Sequence, residues 1–268
     1  MIKDITIGQY MPGDSYLHKA DPRIKIILTF IFMILVLLVK SYTSFIMLGL
    51  FTMLAIVVST VPIYYTLKGL KPVLFIVIFA AVLNIFFYAN TNTTPIFQYG
   101  FIRITWEGIH VSIRMALTIT LLMMGASLLT LTTTPILLTD GLEKLMKPLK
   151  RFKVPVHEIA MMMTIALRFI PTLLEETDKI MKAQAARGAD FESGNMIQRA
   201  KSFVPILVPL FISAFRRADE LAIAMEARCY KGSEGRTRMK QLKLGQIDGI
   251  LSIIMGVFAV FVLYINYL

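Results

Sequence analysis

The sequence predicts an all-α, polytopic membrane protein with about five transmembrane helices and a domain of amphipathic helices inserted before the last one. Hydrophobic residues make up 56% of the 268 residues and charged residues only 17%, whereas a soluble domain carries about 25% charged residues. Long uncharged apolar runs recur along the chain. Between the last two runs lies a charged segment whose apolar residues recur at helical spacing.

The apolar runs define the transmembrane helices, because an apolar stretch of about 20 residues is long enough to cross a bilayer as a helix. Five segments come close to that length. In chain order they are Ile24–Val39, a part of Ser41–Leu67, Val73–Ala89, Met115–Leu138 and Gly249–Leu268. Two further runs, Ile159–Leu167 and Phe203–Phe215, are bounded by charges or interrupted by prolines. We predict that both are too short to span.

The distribution of basic residues predicts the orientation. With a cytoplasmic N-terminus, 25 of the 28 Lys and Arg residues fall on the cytoplasmic side, and only Lys40, Arg103 and Arg114 do not. Cytoplasmic loops of membrane proteins carry an excess of Lys and Arg. We therefore expect a multi-pass protein of the cell membrane with its N-terminus inside. The net charge of +11 then faces the anionic surface of the bilayer and not a nucleic acid.

The charge pattern divides the chain into three parts. Residues 1–138 hold the N-terminal region and the first four spans, residues 139–247 a cytoplasmic helical domain, and residues 248–268 the last span. Leu173, Thr177 and Ile180 form an apolar stripe in the middle part, and Asp219–Arg228 repeats the design. These helices could lie along the membrane, pack on one another or dock into a partner. A solvated hairpin that only joins two spans is the simpler alternative.

An internal repeat favours a docking role for this middle part. When the sequence is aligned with itself at an offset of 41, Ala186-Arg187-Gly188 falls on Ala227-Arg228-Cys229. Each arginine follows an alanine and precedes a small residue, so that another surface can approach closely and meet the planar guanidinium. Gly188 and Gly232 suit helix C-termini. An arginine in a last helical turn can also merely complement the helix dipole, but two matched copies indicate a paired docking device.

Several kinds of chemistry find no signature in the sequence. A phosphate-binding G-x-x-x-x-G-K-[ST] loop is missing, so ATP binding of that type is not expected. His18, His110 and His157 are scattered and form no spacing typical of a metal site. The predicted spans carry almost no ionisable residues, which argues against a stand-alone secondary transporter or channel. A membrane-embedded enzyme would need a catalytic constellation that the motifs do not provide.

The stretch Gly8–Lys25, GQYMPGDSYLHKADPRIK, strongly resembles the start of the first span in the transmembrane T component of energy-coupling factor (ECF) transporters. The two Ala-Arg-small triplets are similar to the two X-Arg-X signatures of that family. Cys229 stands where glycine is common, which is a departure at a position that tolerates small residues. The resemblance covers essentially the whole chain.

The resemblance implies a mechanism that the residues alone do not. In that family the T component is a non-catalytic subunit that joins two ABC-type ATPases, which bind ATP and Mg, to a membrane-embedded S component that captures a vitamin or another micronutrient. By this analogy Arg187 and Arg228 anchor the chain in the ATPases, and the apolar surfaces of the middle helices hold the S component. No cofactor is expected in this chain, and its cargo is set by another chain.

Overall fold

A computed structural model describes residues 10–87, 97–99, 102–189, 191, 195–232 and 242–267. The helices are α1 Tyr16–Lys19, α2 Pro22–Leu38, α3 Tyr42–Ser59, α4 Ile63–Phe87, α5 Trp106–Thr132, α6 Pro135–Met146, α7 Val156–Ala186, α8 Met196–Ser202, α9 Val204–Ala227 and α10 Gln246–Tyr267, with a 3-10 helix at Lys147–Phe152. Strands β1 (Phe97–Tyr99) and β2 (Ile102–Ile104) form a short antiparallel hairpin. The prediction of an all-α polytopic membrane protein is confirmed.

The chain divides into two compact units. The larger unit comprises the described residues of Gly8–Leu145 and Gln241–Leu268, and therefore contains α1 to α6 and α10. The smaller unit comprises the described residues of Met146–Lys240 and contains α7, α8 and α9. The boundaries predicted at 138/139 and 247/248 remain a prediction about domains.

The core of the larger unit lies where α2, α3, α5 and α10 meet. Nine buried apolar side chains form it, namely Phe32, Leu35, Val36, Val39, Phe45, Leu48, Leu121, Met255 and Val262. The ring of Phe51 stacks on that of Phe258 with the centroids 4.1 Å apart, which ties α3 to α10. Many large apolar side chains elsewhere on these helices are exposed, as is expected where lipid and not water is the solvent.

Capping residues explain where α2 begins and how the chain turns into α3. The Asp21 carboxylate accepts a hydrogen bond from the backbone N–H of Arg23, and Pro22 occupies the first helical position, where a missing N–H costs nothing. At the other end, the side-chain oxygen of Asn266 accepts hydrogen bonds from the backbone N–H groups of Lys40 (2.8 Å) and Ser41 (3.1 Å). The short connection after α2 is thus held by α10.

The predicted boundaries of the third and fourth spans were wrong. Helix α4 begins at Ile63, ten positions before Val73, and continues through Pro72, which precedes the predicted span. The predicted end of this span, at Ala89, lies outside the described residues. Helix α5 begins at Trp106, where the Thr105 hydroxyl caps it, and ends at Thr132, because Pro135 starts a separate helix.

The prediction that Ile159–Leu167 and Phe203–Phe215 are too short to span underestimated the length of the helices that contain them. They belong to the continuous helices α7, with 31 residues, and α9, with 24 residues. The flanking charges do not end α7, and Pro209 lies inside α9 without breaking it. Charges and prolines that interrupt an apolar run in the sequence therefore do not interrupt the helix.

Six described segments are long and apolar enough to cross a membrane, judged by length and composition. They are Tyr42–Ser59, Ile63–Phe86, Trp106–Thr132, Val156–Ala186, Ile197–Ala227 and Gln246–Tyr267. Helix α2, with 17 residues, is shorter but packs inside the same bundle as α3, α5 and α10. The chain is a multi-pass membrane protein.

Candidate functional site

The first candidate helix end closes α7. Helical geometry stops at Ala186, and Gly188 adopts a left-handed backbone conformation with φ of 87°. The N–H of Gly188 donates to the carbonyl of Ala185 (2.9 Å), and the N–H of Ala189 donates to that of Gln184 (3.0 Å). This pair of bonds is a Schellman motif, which satisfies carbonyls that the helix leaves unpaired.

The second helix end, at the end of α9, repeats this pattern bond for bond. The N–H of Cys229 donates to the carbonyl of Glu226 (2.8 Å), and the N–H of Tyr230 donates to that of Met225 (3.0 Å). Each donor and each acceptor lies 41 positions after its counterpart in α7. Cys229 takes the left-handed position, with φ of 56°. The helix thus ends at the predicted Ala-Arg-small triplet, and Gly232, three positions further on, also has a left-handed backbone conformation with φ of 90°.

Both triplets are presented to the surface of the smaller unit. All six residues, Ala186, Arg187, Gly188, Ala227, Arg228 and Cys229, are exposed. A side chain added at Gly188 would find no atom within 4 Å of its Cβ. Within the described part of the chain, neither arginine side chain forms a hydrogen bond or an ion pair. Each guanidinium is therefore exposed, and no described residue uses its donors.

A contact between α7 and α9 relates the two ends. Arg217 donates to the carboxylate of Glu176 at 2.9 Å, and these two residues are themselves 41 positions apart. Near the end of α7, the amide of Gln184 donates to the carbonyl of Pro205, at the start of α9. As α7 advances, its contacts in α9 move backwards, so the helices run in opposite directions and an approximate two-fold axis passes near the Glu176–Arg217 pair.

Because the two helices run in opposite directions, the two arginines lie at opposite ends of the helix pair. Arg187 lies 11 positions after Glu176, and Arg228 follows Arg217 at the same spacing. At 1.5 Å per residue, each arginine lies about 16 Å along its helix from the crossing, and the two distances add up to about 33 Å along the helix axes. The sequence repeat locates both arginines but did not predict the Glu176–Arg217 pair, although the offset of 41 relates these two residues as well.

The left-handed residues at the two helix ends give a prediction about stability. Gly188→Ala should destabilise the smaller unit by about 1 kcal/mol, because a Cβ is unfavourable in the left-handed region. Cys229→Gly should be neutral or slightly stabilising, since it removes the same penalty. Thermal unfolding of the purified variants in one detergent measures both changes. Equal destabilisation by the two substitutions would contradict the assignment.

A second group of polar residues lies in the larger unit, in the stretch that carries the resemblance. The buried carboxylate of Asp248, in the first turn of α10, accepts hydrogen bonds from the backbone N–H groups of Asp21 and Gly245, both at 2.7 Å. Arg23 donates twice to the carboxylate of Asp21, at 3.0 and 2.7 Å. Arg23 also donates to the carbonyl of Leu242, just before α10. The starts of α2 and α10 are thereby joined.

A buried lysine extends this polar group to the end of α5. The Nζ of Lys25 donates to the carbonyls of His18 and Thr132, both at 3.1 Å, and to the Thr133 hydroxyl at 3.2 Å. All three of its protons therefore have acceptors. The charge of Lys25 is compensated by the neighbouring carboxylates, and the cluster fixes three helix ends to one another.

Two effects act in opposite directions on the pKa of the Asp21 carboxyl. Burial raises this pKa, but the hydrogen bonds and the positive charge of Arg23 together outweigh burial and hold the pKa below its ordinary value of 3.8. The stabilisation from this carboxylate is therefore complete above pH 3.8 and is lost as the pH falls through the lowered value.

The histidines belong to separate environments. His18 is held by the Ser15 hydroxyl and the Met11 carbonyl, and His110 contacts the Tyr42 hydroxyl at 2.7 Å. Among the residues that the structure describes, no group of three or more His, Cys, Asp or Glu side chains is placed to hold a metal ion.

Comparison with known proteins decides the family. The family model CbiQ, described as cobalt transport protein, matches residues 13–239, which include both arginine-bearing helix ends. A protein of Ruminiclostridium cellulolyticum named energy-coupling factor transporter transmembrane protein EcfT is 64% identical over 267 residues, 100% of this chain and 99% of that protein. The chain belongs to the EcfT family.

Further EcfT relatives show how widely the similarity extends. EcfT of Clostridium kluyveri is 60% identical over 94% of this chain and 93% of its own length. EcfT of Bacillus subtilis is 51% identical over 90% of this chain and 91% of its own length. The resemblance to the T component of ECF transporters is thus confirmed, and the chain is the transmembrane component of a transporter that contains other subunits.

Proposed function

We propose that this chain couples two ABC-type ATPases to a membrane-embedded S component, and that Arg187 and Arg228 are its two contacts with the ATPases. The observation that carries the proposal is the repeated backbone geometry of the two helix ends, at an offset of 41. Two equivalent contacts on opposite sides of an approximate two-fold axis match a pair of similar ATPases. ATP and Mg are bound by those partners, and this chain hydrolyses nothing.

An uncovered apolar stripe on α9 supports the second half of the proposal. Its residues recur at positions i, i+3, i+4, i+7, i+8 and i+11, and each is between 46% and 68% exposed. They are Val204, Leu207, Val208, Phe211, Ile212 and Phe215. Such a stripe needs an apolar partner. In this proposal it holds the S component, which brings a vitamin or another micronutrient.

Purification tests this proposal against a stand-alone secondary transporter or channel. The tagged chain, extracted in mild detergent, should bring with it two ATPase chains and a small apolar membrane protein, identified by mass spectrometry. Uptake in vesicles should require ATP. Transport by the purified chain alone, without ATP and without partners, would favour the alternative function.

The proposed function requires the smaller unit to face the cytoplasm, where ATP is available. The distribution of the 28 basic residues predicts this orientation, with the N-terminus inside. Single cysteines placed at Lys150 and Lys201 in a Cys229→Ser background should react with a membrane-impermeant maleimide only after the cells are opened. Labelling of either position in intact cells would contradict the orientation.

A further inference from the structure

We propose that the larger unit binds one acyl chain of a membrane phospholipid in an apolar slot between α2, α3, α5 and α10. The slot is a cavity of about 230 Å³. Apolar side chains form most of its wall, among them Leu28, Phe32, Phe51, Leu128, Leu251 and Met255. The proposal is independent of the ATPase contacts, which lie in the other unit.

Three of the four polar side chains on the wall, those of Lys25, Thr52 and Thr132, form their hydrogen bonds within the protein. The Thr52 hydroxyl donates to the carbonyl of Leu48 at 2.7 Å, and the Thr132 hydroxyl donates to that of Leu128 at 2.8 Å. Lys25 uses its protons on the three oxygens described above. An apolar cavity of about 150 Å³ in a protein interior stays dry and takes up hydrocarbon. The slot is larger and has the same character.

The slot has a buried floor and an exposed mouth. Phe32, Thr52 and Met255 are at most 5% exposed and form the floor. Leu54 and Ile254, at 62% and 49% exposed, flank the mouth on α3 and α10, which are two of the helices able to span the membrane. The mouth therefore opens onto the hydrocarbon of the bilayer.

The residues that line the slot extend along the helices. On α2 they reach from Lys25, near the start of the helix, to Phe32, two helical turns further on. This distance is about 10 Å at 1.5 Å per residue. A chain of methylene groups that stands upright in the bilayer has this direction and this polarity, and phospholipid tails are the hydrocarbon that surrounds the mouth.

Small residues on the facing helices keep the slot open. A Cβ on Gly125 of α5 would lie 2.8 Å from the Phe32 ring, so this ring occupies space that glycine leaves free. Ala55 on α3 lines the slot where a larger side chain would fill it. The slot thus depends on particular small residues, and substitutions can close it.

Photolabelling tests the proposal on the full chain, purified with the partners that accompany it. The complex is placed in nanodiscs of phosphatidylethanolamine and phosphatidylglycerol that contain a phosphatidylglycerol with a diazirine in the middle of one acyl chain. After illumination, peptide mass spectrometry should find label on the buried Phe32 and Met255. The exposed Phe75 of α4 serves as the reference for ordinary contact with lipid.

Two substitutions should close the slot to different extents. Ala55→Phe should reduce labelling of Met255 to the level seen without illumination, and Ala55→Leu should reduce it partly. Gly49→Phe is the matched control on the same helix, because a Cβ there has no atom within 4 Å. It should leave the labelling of Met255 unchanged. Equal size-exclusion profiles for the three variants show that each is folded.

Three results would overturn the proposal. The first is label on Phe75 with none on Phe32 or Met255 in the unsubstituted chain. The second is unchanged labelling of Met255 in both Ala55 variants. The third is label on Met255 that appears only after the partner chains are removed, because a protein side chain and not a lipid would then occupy the slot.

Discussion

The double substitution Arg187→Ala, Arg228→Ala should abolish ATP-driven uptake and prevent the ATPases from copurifying, while the chain still inserts into the membrane. Both side chains are exposed and unpaired within the described part of the chain, so their removal breaks no contact among the described residues of the smaller unit. Truncating one side of a charged pair that becomes buried in a complex costs about 2–5 kcal/mol. Losing two such contacts should be worse than losing either one.

Conservative and control substitutions separate docking from a local effect on the helix. Arg→Lys at both positions should restore binding only partly, because an ammonium cannot reproduce the planar fork of donors. Complementing the helix dipole, in contrast, is worth about 0.3–1 kcal/mol, and lysine would largely restore it. Arg216→Ala removes an exposed arginine from the middle of α9 and should change neither measurement.

The measurements are uptake into vesicles and the amount of ATPase that copurifies with the tagged chain. If the double alanine variant retains both, neither arginine couples the chain to the ATPases. If lysine restores both completely, the arginines act only on their own helices.

The second large effect is expected in the larger unit, at the polar cluster around Asp248. Asp248→Ala should lower the free energy of unfolding by about 3 kcal/mol, because it strands the buried backbone N–H of Asp21 and also removes the charged acceptor of the more exposed N–H of Gly245. It also removes a negative charge close to Lys25. Asp248→Asn should be intermediate, since an amide oxygen can accept from one of the two donors but its NH₂ group cannot accept from the other.

Thermal stability of the purified chain in one detergent measures this effect. A loss of about 3 kcal/mol lowers Tm by roughly 6–12 °C for a chain of this size. The matched control is Asn266→Ala, which removes two backbone hydrogen bonds at the opposite, more exposed end of α10. Its effect should be smaller. Equal shifts in Tm for the two variants would show that the hydrogen bonds of Asp248 contribute no more to stability than those of Asn266.

Features that repeat along the chain could be predicted from the sequence. The offset of 41 located both arginine-bearing helix ends, because the same local pattern folds the same way twice. The structure adds that even the backbone hydrogen bonds repeat. The all-helical architecture followed in the same way from apolar runs and helical periodicity.

Features that depend on contacts distant in sequence could not be predicted. Asp248 bonds to Asp21 across 227 residues, and nothing near Asp248 in the sequence indicates this contact. The predicted helix ends failed for another reason. Charges and prolines mark the limits of apolar runs in the sequence, but Pro72 and Pro209 lie inside continuous helices. The backbone bonds that a proline removes are too few to outweigh the packing of a long apolar helix.

The hydrogen bond between Asp21 and Asp248 also determines when the larger unit can be completed during synthesis. The ribosome adds about 5–20 residues per second, so roughly 11–45 s pass between the synthesis of these two residues, which are 227 positions apart. During that interval the first helices lack α10. The backbone N–H of Asp21 then has no Asp248 carboxylate to bond, and Lys25 has no Asp248 charge beside it. The larger unit can therefore be completed only after α10 has been made, which follows the synthesis of the smaller unit. A chain truncated before α10 would lack the Asp248 carboxylate and would leave the buried N–H of Asp21 without its acceptor.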